Sequence, residues 1–175
     1  MVKRLLFLIV ILGICTANTI PAKLEKKINK TISAYFETEE FSKTLVTVSQ
    51  DIQGDLPSDF SENLYKISSP SGALGYVYLG NAPSKTATFD YLVLFDNEFI
   101  IKTSKVLIYR EEYGGEISSK RWLKQFNGKS VDTPTLKYME DINAISGATI
   151  SVRSMTTAIN QLLESLSILQ KAQEL

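Results

Sequence analysis

The residues Ser146-Gly147-Ala148-Thr149 stand where an irregular stretch of the chain passes into a long amphipathic helix. Glycine and alanine let a ligand approach the backbone closely. The first N–H groups of a helix lack partners within the helix and carry the positive end of its dipole, so they favour an anion. Ser151, of a type that often caps helices, follows two residues after Thr149. This pattern is typical of a phosphate-binding site, and also of an ordinary helix start.

Further candidate residues lie upstream, in a stretch that follows neither helical nor strand periodicity. Gly114 and Gly115 permit backbone angles that other residues avoid. Trp122 stands beside cationic residues and four positions before Phe126, as on one helical face. Two interpretations are open: Trp122 fills the core of the fold, or it forms an aromatic wall for a planar cofactor.

The composition excludes several classes of chemistry. The chain has no histidine, which removes Ser-His-Asp and Cys-His hydrolases and the commonest metal ligand. Its one cysteine excludes an internal disulfide and a thiolate metal cage. Lys and Arg number 19, as do Asp and Glu, and no clustered basic face is visible. We therefore expect no nucleic-acid partner, no metal site and no catalytic residues.

The amino terminus has the features of an export signal. Lys3 and Arg4 precede an apolar run at 5–14, which is shorter than the roughly 20 residues of a membrane span. Cleavage after Ala17 fits the small-residue pattern of signal processing. We expect residues 1–17 to be a signal peptide or, as the alternative, an uncleaved N-terminal anchor. The protein is then exported, and periplasmic or membrane-associated.

Two segments have helical periodicity with their apolar residues on one face. Residues 21–36 form the first, with Pro21 in its first turn, and residues 151–169 form the second, with Ser151 as its N-cap. The two apolar stripes are Leu24, Ile28, Ile32 and Tyr35, and Met155, Ile159, Leu162, Leu163, Leu166 and Leu169. The first helix also carries Lys23, Lys26, Lys27 and Lys30, expected as a solvated face, with contact to anionic lipid as the alternative.

Between these helices the chain has the alternation and turn residues of β-strands. The pattern predicts a short strand at 45–48, a loop at 51–62, strands at 64–67 and 74–79, a turn at 81–84, and a hairpin of strands 89–95 and 99–108. About four to five strands would form the sheet, a usual size. The predicted fold is a single α+β domain, in which a mostly antiparallel sheet packs with an N-terminal helix and a C-terminal amphipathic helix.

Two blocks of sequence together resemble the FMN-binding domain family. Ser146-Gly147-Ala148-Thr149, followed by Ile150-Ser151 and a helix, is similar to the family's flavinylation signature, Asp-x-x-Ser/Thr-Gly-Ala-Thr. The stretch Glu111-Glu112-Tyr113-Gly114-Gly115-Glu116, then Trp122 and Phe126-Asn127-Gly128-Lys129, is similar to the family's Glu-x-x-Gly-x-Gly and Trp-x-x-x-Phe-x-Gly-Lys patterns. This family includes the G subunit of the Rnf complex and the C subunit of sodium-translocating NADH:quinone reductase. The resemblance is closest over the carboxyl-terminal half.

The resemblance implies that flavin mononucleotide (FMN) is bound, and attached to Thr149 by a phosphoester. A separate flavin transferase would use FAD and Mg²⁺ to make the link, so Thr149 would be an acceptor and not a catalytic nucleophile. The implied cofactor-binding residues are Ser146, Gly147, Ala148, Thr149 and Ser151 around the phosphate, and Gly114, Gly115, Glu116 and Trp122 on the side of the ring. Residues 63–175 would be the FMN-binding domain, and residues 18–62 the N-terminal helix and connecting segment.

One departure from the family's pattern falls on the signature itself. Asn143 occupies the position of the family's aspartate, and Asp141 lies two residues earlier. Asparagine keeps the shape and a hydrogen-bonding oxygen but loses the charge. If the transferase reads that charge, attachment would be slow or would depend on Asp141, and non-covalent FMN binding would remain.

Three functions follow from these features. The first is an exported electron-transfer flavoprotein that relays electrons between membrane and extracytoplasmic redox partners, with FMN doing the redox chemistry. The second is an FMN-dependent reductase of a small acceptor, for which Tyr, Glu or Lys would have to replace the missing histidine. The third is a cofactor-free binding module on the same fold, which the Asn143 departure favours.

Overall fold

The computed structural model describes residues 20–175 of the chain. The predicted signal peptide or anchor at 1–17 lies outside these residues. None of the helices that the described residues form has the length and apolar character needed to span a membrane.

A five-stranded antiparallel sheet forms the centre of the fold, and its strand order follows the sequence. Short connections explain the order of the last four strands, because antiparallel neighbours need only a tight turn between them. The strands are β1 (Ser42–Leu45), β2 (Leu64–Ser69), β3 (Gly72–Pro83), β4 (Thr88–Phe95) and β5 (Ile101–Tyr109). The helices are α1 (Ala22–Phe36), α2 (Gln50–Gln53), α3 (Lys120–Leu123) and α4 (Thr149–Lys171), and 3₁₀ turns at Gly115–Ser118 and Lys124–Phe126 flank α3.

The two long helices cover opposite faces of the sheet, which explains why β4 is apolar without interruption from Tyr91 to Phe95. Phe89, Tyr91, Val93 and Phe95 share one buried cluster with the apolar stripe of α4. Leu92 and Leu94 point the other way and share a second cluster with Ile28 and Ile32 of α1. Since successive side chains of a strand alternate between faces, a strand buried on both faces needs apolar residues throughout.

The structure confirms the predicted α+β fold, both long helices and the antiparallel sheet, and it corrects three local predictions. The short strand is β1, at Ser42–Leu45, and not at 45–48. The segment 51–62 is not entirely loop, because α2 overlaps its start. The turn predicted at 81–84 is wrong, since β3 continues to Pro83 and Asn81 pairs with Asp90 of β4. The Asn81 side-chain amide donates to the Asp90 carboxylate over 2.6 Å, which favours strand pairing at this position over a turn.

The start of α4 also differs from the prediction. The helix begins at Thr149 and Ala148 occupies the N-cap position, so Ser151 lies inside the first turn and is not the cap. Gly147 adopts a left-handed φ of 77°, a conformation that glycine reaches without strain. This reversal of the backbone ends the preceding segment and lets the helix start two residues early.

Candidate functional site

A cavity of about 380 Å³ lies at the amino end of α4. Three separate segments of the chain meet there: the turn between β3 and β4, the end of β5 with the residues that follow it, and the first turn of α4. The residues lining the cavity are Lys85, Tyr109, Glu111, Tyr113, Gly147, Ala148, Thr149, Ile150 and Ser151. The fold thus brings part of the signature together with residues from the glycine-containing loop.

The first turn of α4 offers several unpaired donors to this cavity. Within residues 20–175, the N–H groups of Thr149, Ile150 and Ser151 have no hydrogen-bond acceptor, and no side chain caps the helix. The first helical bond runs from the N–H of Val152 to the carbonyl of Ala148 over 2.9 Å. The Thr149 side chain is exposed beside these groups. A hydroxyl and a set of converging N–H donors therefore lie together at the helix end that favours negative charge.

Gly114 supports this helix start by packing directly beneath it. A Cβ atom at Gly114 would lie 2.4 Å from the Ala148 Cβ and 3.2 Å from the carbonyl oxygen of Gly147. Gly114 also has a left-handed φ of 77°. Both constraints require glycine, so the loop after β5 reaches the signature only because this position has no side chain.

Ser151 connects the helix start to the sheet. Its side chain is buried, and its hydroxyl lies 3.1 Å from the hydroxyl of Tyr109, at the end of β5. The Tyr109 ring packs against Phe89 at a centroid distance of 6.0 Å. The first turn of α4 is thereby fixed to a strand end that is itself anchored in the core.

Glu111 fixes the turn that carries Lys85. Its carboxylate accepts hydrogen bonds from the Thr86 N–H over 2.7 Å, the Thr86 hydroxyl over 2.8 Å and the Ala87 N–H over 3.2 Å. The nearby Ser84 hydroxyl, together with these hydrogen bonds from Thr86 and Ala87, lowers the pKa of Glu111 to about 2. The carboxylate is therefore ionised at neutral pH, and its charge is satisfied by the turn. Lys85, in the same turn, lies at the cavity.

Trp122 lies outside this cavity and packs in the core. Its side chain is 6 % exposed and meets Phe126 edge-on, with ring centroids 5.4 Å apart. Its indole N–H donates to the carbonyl oxygen of Asn143 over 2.8 Å, and the side-chain oxygen of Gln125 accepts the Asn143 N–H over 2.8 Å. Trp122 thus holds the backbone that leads into the signature. This placement corresponds to the core-filling interpretation of the tryptophan.

The remaining sequence-predicted residues divide between the cavity and its surroundings. Gly147, Ala148, Thr149 and Ser151 line the cavity and Gly114 packs beneath it, whereas Ser146, Gly115, Glu116 and Trp122 do not line it. A Cβ atom at Gly115 would meet nothing within 4 Å, in contrast to Gly114.

Sequence reasoning missed five cavity residues as members of the site: Lys85, Tyr109, Glu111, Tyr113 and Ile150. No sequence pattern indicated Lys85, because the turn was predicted at 81–84, whereas it follows Pro83 and includes Lys85. Glu111 did have a signal, since it opens the stretch that resembles the family's glutamate and glycine pattern.

The family comparison matches the segment that contains these residues. Residues 86–164 match the family model described as FMN-binding domain. The match begins in the turn held by Glu111 and extends along most of α4, so it includes both Gly114 and the signature. No curated protein matches the chain. Residues 86–164 are therefore an FMN-binding domain, which confirms the resemblance inferred from the two sequence blocks.

Proposed function

We propose that the protein is an exported electron-transfer flavoprotein that carries FMN on the Thr149 hydroxyl through a phosphoester. The observation that supports this most directly is the position of Thr149. Its exposed side chain stands at a cavity beside N–H groups that have no acceptor among residues 20–175. The family match, which covers this residue, supports FMN as the cofactor.

The residues around Thr149 fit the phosphate of FMN. A phosphodiester keeps one negative charge, which the amino end of a helix stabilises by about 0.3–1 kcal/mol. Lys85, which also lines the cavity, adds a cation, and the small residues Gly147 and Ala148 leave the approach open. The phenol rings of Tyr109 and Tyr113 give the cavity an aromatic lining, and Tyr113 is 76 % exposed, so its ring is accessible to a planar ligand.

Each residue of the site would have a defined task. Thr149 would accept FMN from FAD: its hydroxyl oxygen bonds to the FMN phosphorus, the pyrophosphate bond of FAD breaks, and AMP and the hydroxyl proton leave. Lys85 and the first N–H groups of α4 would hold the phosphodiester. Glu111 would keep the Lys85 turn in place. Once bound, FMN supplies the chemistry that accepts two electrons and releases them singly.

The transferase that makes this link would recognise the segment around Asn143. The backbone of Asn143 is fixed by Trp122 and Gln125, while its side chain is exposed. Asp141 is engaged elsewhere, because its carboxylate accepts the Lys137 N–H over 2.9 Å. We therefore place Asn143, and not Asp141, at the recognition position, where the amide would act without a charge.

Intact mass spectrometry tests the attachment. After coexpression with a flavin transferase, the protein should gain the mass of FMN less one water, and Thr149→Ala should gain nothing. Thr157→Ala is a matched control, since Thr157 is an exposed threonine of the same helix that does not line the cavity. An unmodified wild-type protein, or flavin mass retained by Thr149→Ala, would contradict the proposal. A flavin-loaded protein that turned over a small acceptor on its own would instead support the reductase.

The proposals on export and partners rest on the amino-terminal sequence. Lys3, Arg4 and the apolar run at 5–14 support export of the chain. Its redox partners would then be membrane or extracytoplasmic electron-transfer proteins. Cell fractionation, combined with the mass of the mature chain, tests both export and cleavage after Ala17.

A further inference from the structure

A second cavity, a cleft of about 520 Å³, lies between α1, β5 and the α3 region, by which we mean α3 with its flanking 3₁₀ turns (residues 115–126). It shares no residue with the cavity at Thr149. Four lysines line it: Lys30 from α1, Lys105 from β5, and Lys120 and Lys124 from the α3 region. We call this the lysine cleft. The cations come from three elements that are distant in sequence, so only the folded chain brings them together.

The charge of the lysine cleft is not neutralised by the described part of the protein. None of the residues that line it is acidic. The ion pairs found within residues 20–175 use Lys43, Lys102, Arg110 and Lys137, and none uses a lysine of the cleft. An anion in the cleft would therefore meet uncompensated positive charge.

Lys105 shows how closely these charges approach one another. Its burial, followed by the nearby charges of Lys30, Lys120 and Lys27, lowers its pKa. Its ammonium group is also held in place, donating to the Thr31 hydroxyl over 3.1 Å. Holding like charges together costs free energy in the empty cleft. A bound anion would remove that repulsion, so the arrangement favours ligand binding.

The remaining lining residues indicate the kind of anion. Thr31, Thr103, Ser118 and Asn127 add polar groups around the lysines. Ammonium and hydroxyl groups are typical phosphate partners, and several ammonium groups match a ligand with more than one phosphate charge. The cleft is concave and falls within the usual volume range of small-ligand sites. A flat acidic protein surface would not reach as far as the half-buried Lys105.

We propose that the lysine cleft binds a group with two or more phosphate charges, such as a pyrophosphate or a pair of phosphates. This chemistry has two possible sources, a soluble pyrophosphate-containing compound and a membrane lipid with two phosphates in its headgroup. The proposal is independent of flavin attachment, because the cleft and the Thr149 cavity have no residue in common.

Titration of the purified protein with inorganic pyrophosphate tests the proposal, with amide chemical shifts in NMR as the readout. Saturable shifts are expected at Thr31 and Lys105, both in flavin-loaded protein and in Thr149→Ala. Shifts confined to residues 149–151 would overturn the proposal, since they would place the anion at the amino end of α4. Absence of saturable binding would overturn it as well.

A charge-matched pair of variants separates the cleft from general electrostatics. Lys120→Gln/Lys124→Gln removes two exposed cleft lysines, and Lys66→Gln/Lys171→Gln removes two exposed lysines elsewhere. The first should weaken pyrophosphate binding by about tenfold or more, as expected when charge-assisted hydrogen bonds are lost. The second should change it by less than about twofold, because exposed distant charges are screened. Equal weakening in both variants would overturn the proposal.

Vesicle binding distinguishes the two sources. Cardiolipin vesicles present paired phosphates, and phosphatidylglycerol vesicles of equal charge density present single ones. A preference for cardiolipin that Lys120→Gln/Lys124→Gln abolishes would identify the lipid source. Pyrophosphate binding without any such preference would identify the soluble source. Both results support the proposal.

Discussion

Gly114 and Ala148 are packed so closely that a methyl group at Gly114 would lie 2.4 Å from the Ala148 Cβ. The two residues come from the loop after β5 and from the N-cap position of α4, which are far apart in sequence. Their contact sets the distance between the loop that carries Tyr113 and the helix turn that carries Thr149. The cavity of the candidate site lies beside this contact.

Replacing Gly114 should therefore damage both stability and the site. Gly114→Ala introduces a steric clash and a left-handed φ for a residue with a side chain. Overpacking of this kind costs about 1–3 kcal/mol of unfolding free energy, and the backbone strain adds about 1–2 kcal/mol. Urea denaturation would measure the loss, and flavin incorporation into the folded fraction should also fall.

Gly115→Ala is the control for this experiment, since open space surrounds that position. We expect its unfolding free energy to stay within about 1 kcal/mol of the wild-type value. If Gly114→Ala and Gly115→Ala had equal unfolding free energies, the loop after β5 and the start of α4 could move apart without loss of stability.

Lys85 should increase the rate of flavin attachment. Its ammonium group lies at the cavity with the first N–H groups of α4, so it should attract the phosphate. Lys85→Gln should slow FMN incorporation by roughly two- to fivefold, the effect of one partly exposed charge. Lys66→Gln, on the exposed part of β2, removes the same charge elsewhere and should leave the rate unchanged. Equal rates for both variants would exclude a local role for Lys85.

Glu111 makes the stability of the β3–β4 turn depend on pH. The nearby Ser84 hydroxyl and the hydrogen bonds from Thr86 and Ala87 lower its pKa from an ordinary 4.5 to about 2 in the folded protein. A carboxyl group with a depressed folded-state pKa contributes its full stability above the unfolded-state pKa and loses it as pH falls. The contribution should therefore be complete above about pH 5 and decline from there towards pH 2.

Glu111→Gln isolates this contribution. The variant should be less stable than wild type at pH 7, and the difference should shrink between about pH 5 and pH 2 in urea denaturation series. Glu112→Gln, an exposed neighbour, serves as the control. A difference that stayed constant over this range would mean that the hydrogen bonds to Glu111 do not depend on its charge.

Asn143→Asp should restore the charge that the family's signature has at this position. The change leaves the two backbone hydrogen bonds of Asn143 in place, since neither uses its side chain. If the transferase reads the charge, incorporation of FMN should accelerate by about three- to tenfold. Asn127→Asp adds the same charge at another exposed position. An unchanged rate for Asn143→Asp would show that the amide already suffices.

The sequence predicted those features that depend on local pattern. The apolar stripes of α1 and α4 could be predicted because a helix that packs against a sheet needs apolar residues at helical spacing. Ile28 and Met155, both fully buried, are examples. The start of α4 was placed two residues late, because Ser151 is a common cap type while the actual reversal occurs at Gly147. Tertiary contact, not local preference, decided this point: Ser151 pairs with Tyr109 across the fold.

Features made by distant segments could not be predicted in this way. Lys85 reaches the site only because β3 continues through Asn81 and moves the turn along the chain. The lysine cleft joins Lys30, Lys105 and Lys120, which lie on separate elements and form no run in the sequence. Charge counts and helical periodicity describe one element at a time. They therefore could not predict a basic surface to which three elements contribute.

Trp122 gives the sharpest distinction between a packing residue and a flavin contact. Its ring is buried against Phe126, and its indole N–H fixes the carbonyl of Asn143. Trp122→Phe should therefore lower the unfolding free energy by about 1–3 kcal/mol, through a smaller side chain and an unpaired carbonyl. The absorption spectrum and midpoint potential of the attached flavin should stay unchanged. Tyr113→Ala should do the reverse, because Tyr113 is exposed at the cavity and has little packing to lose. A shifted flavin spectrum in Trp122→Phe, with stability retained, would instead place the indole beside the isoalloxazine ring.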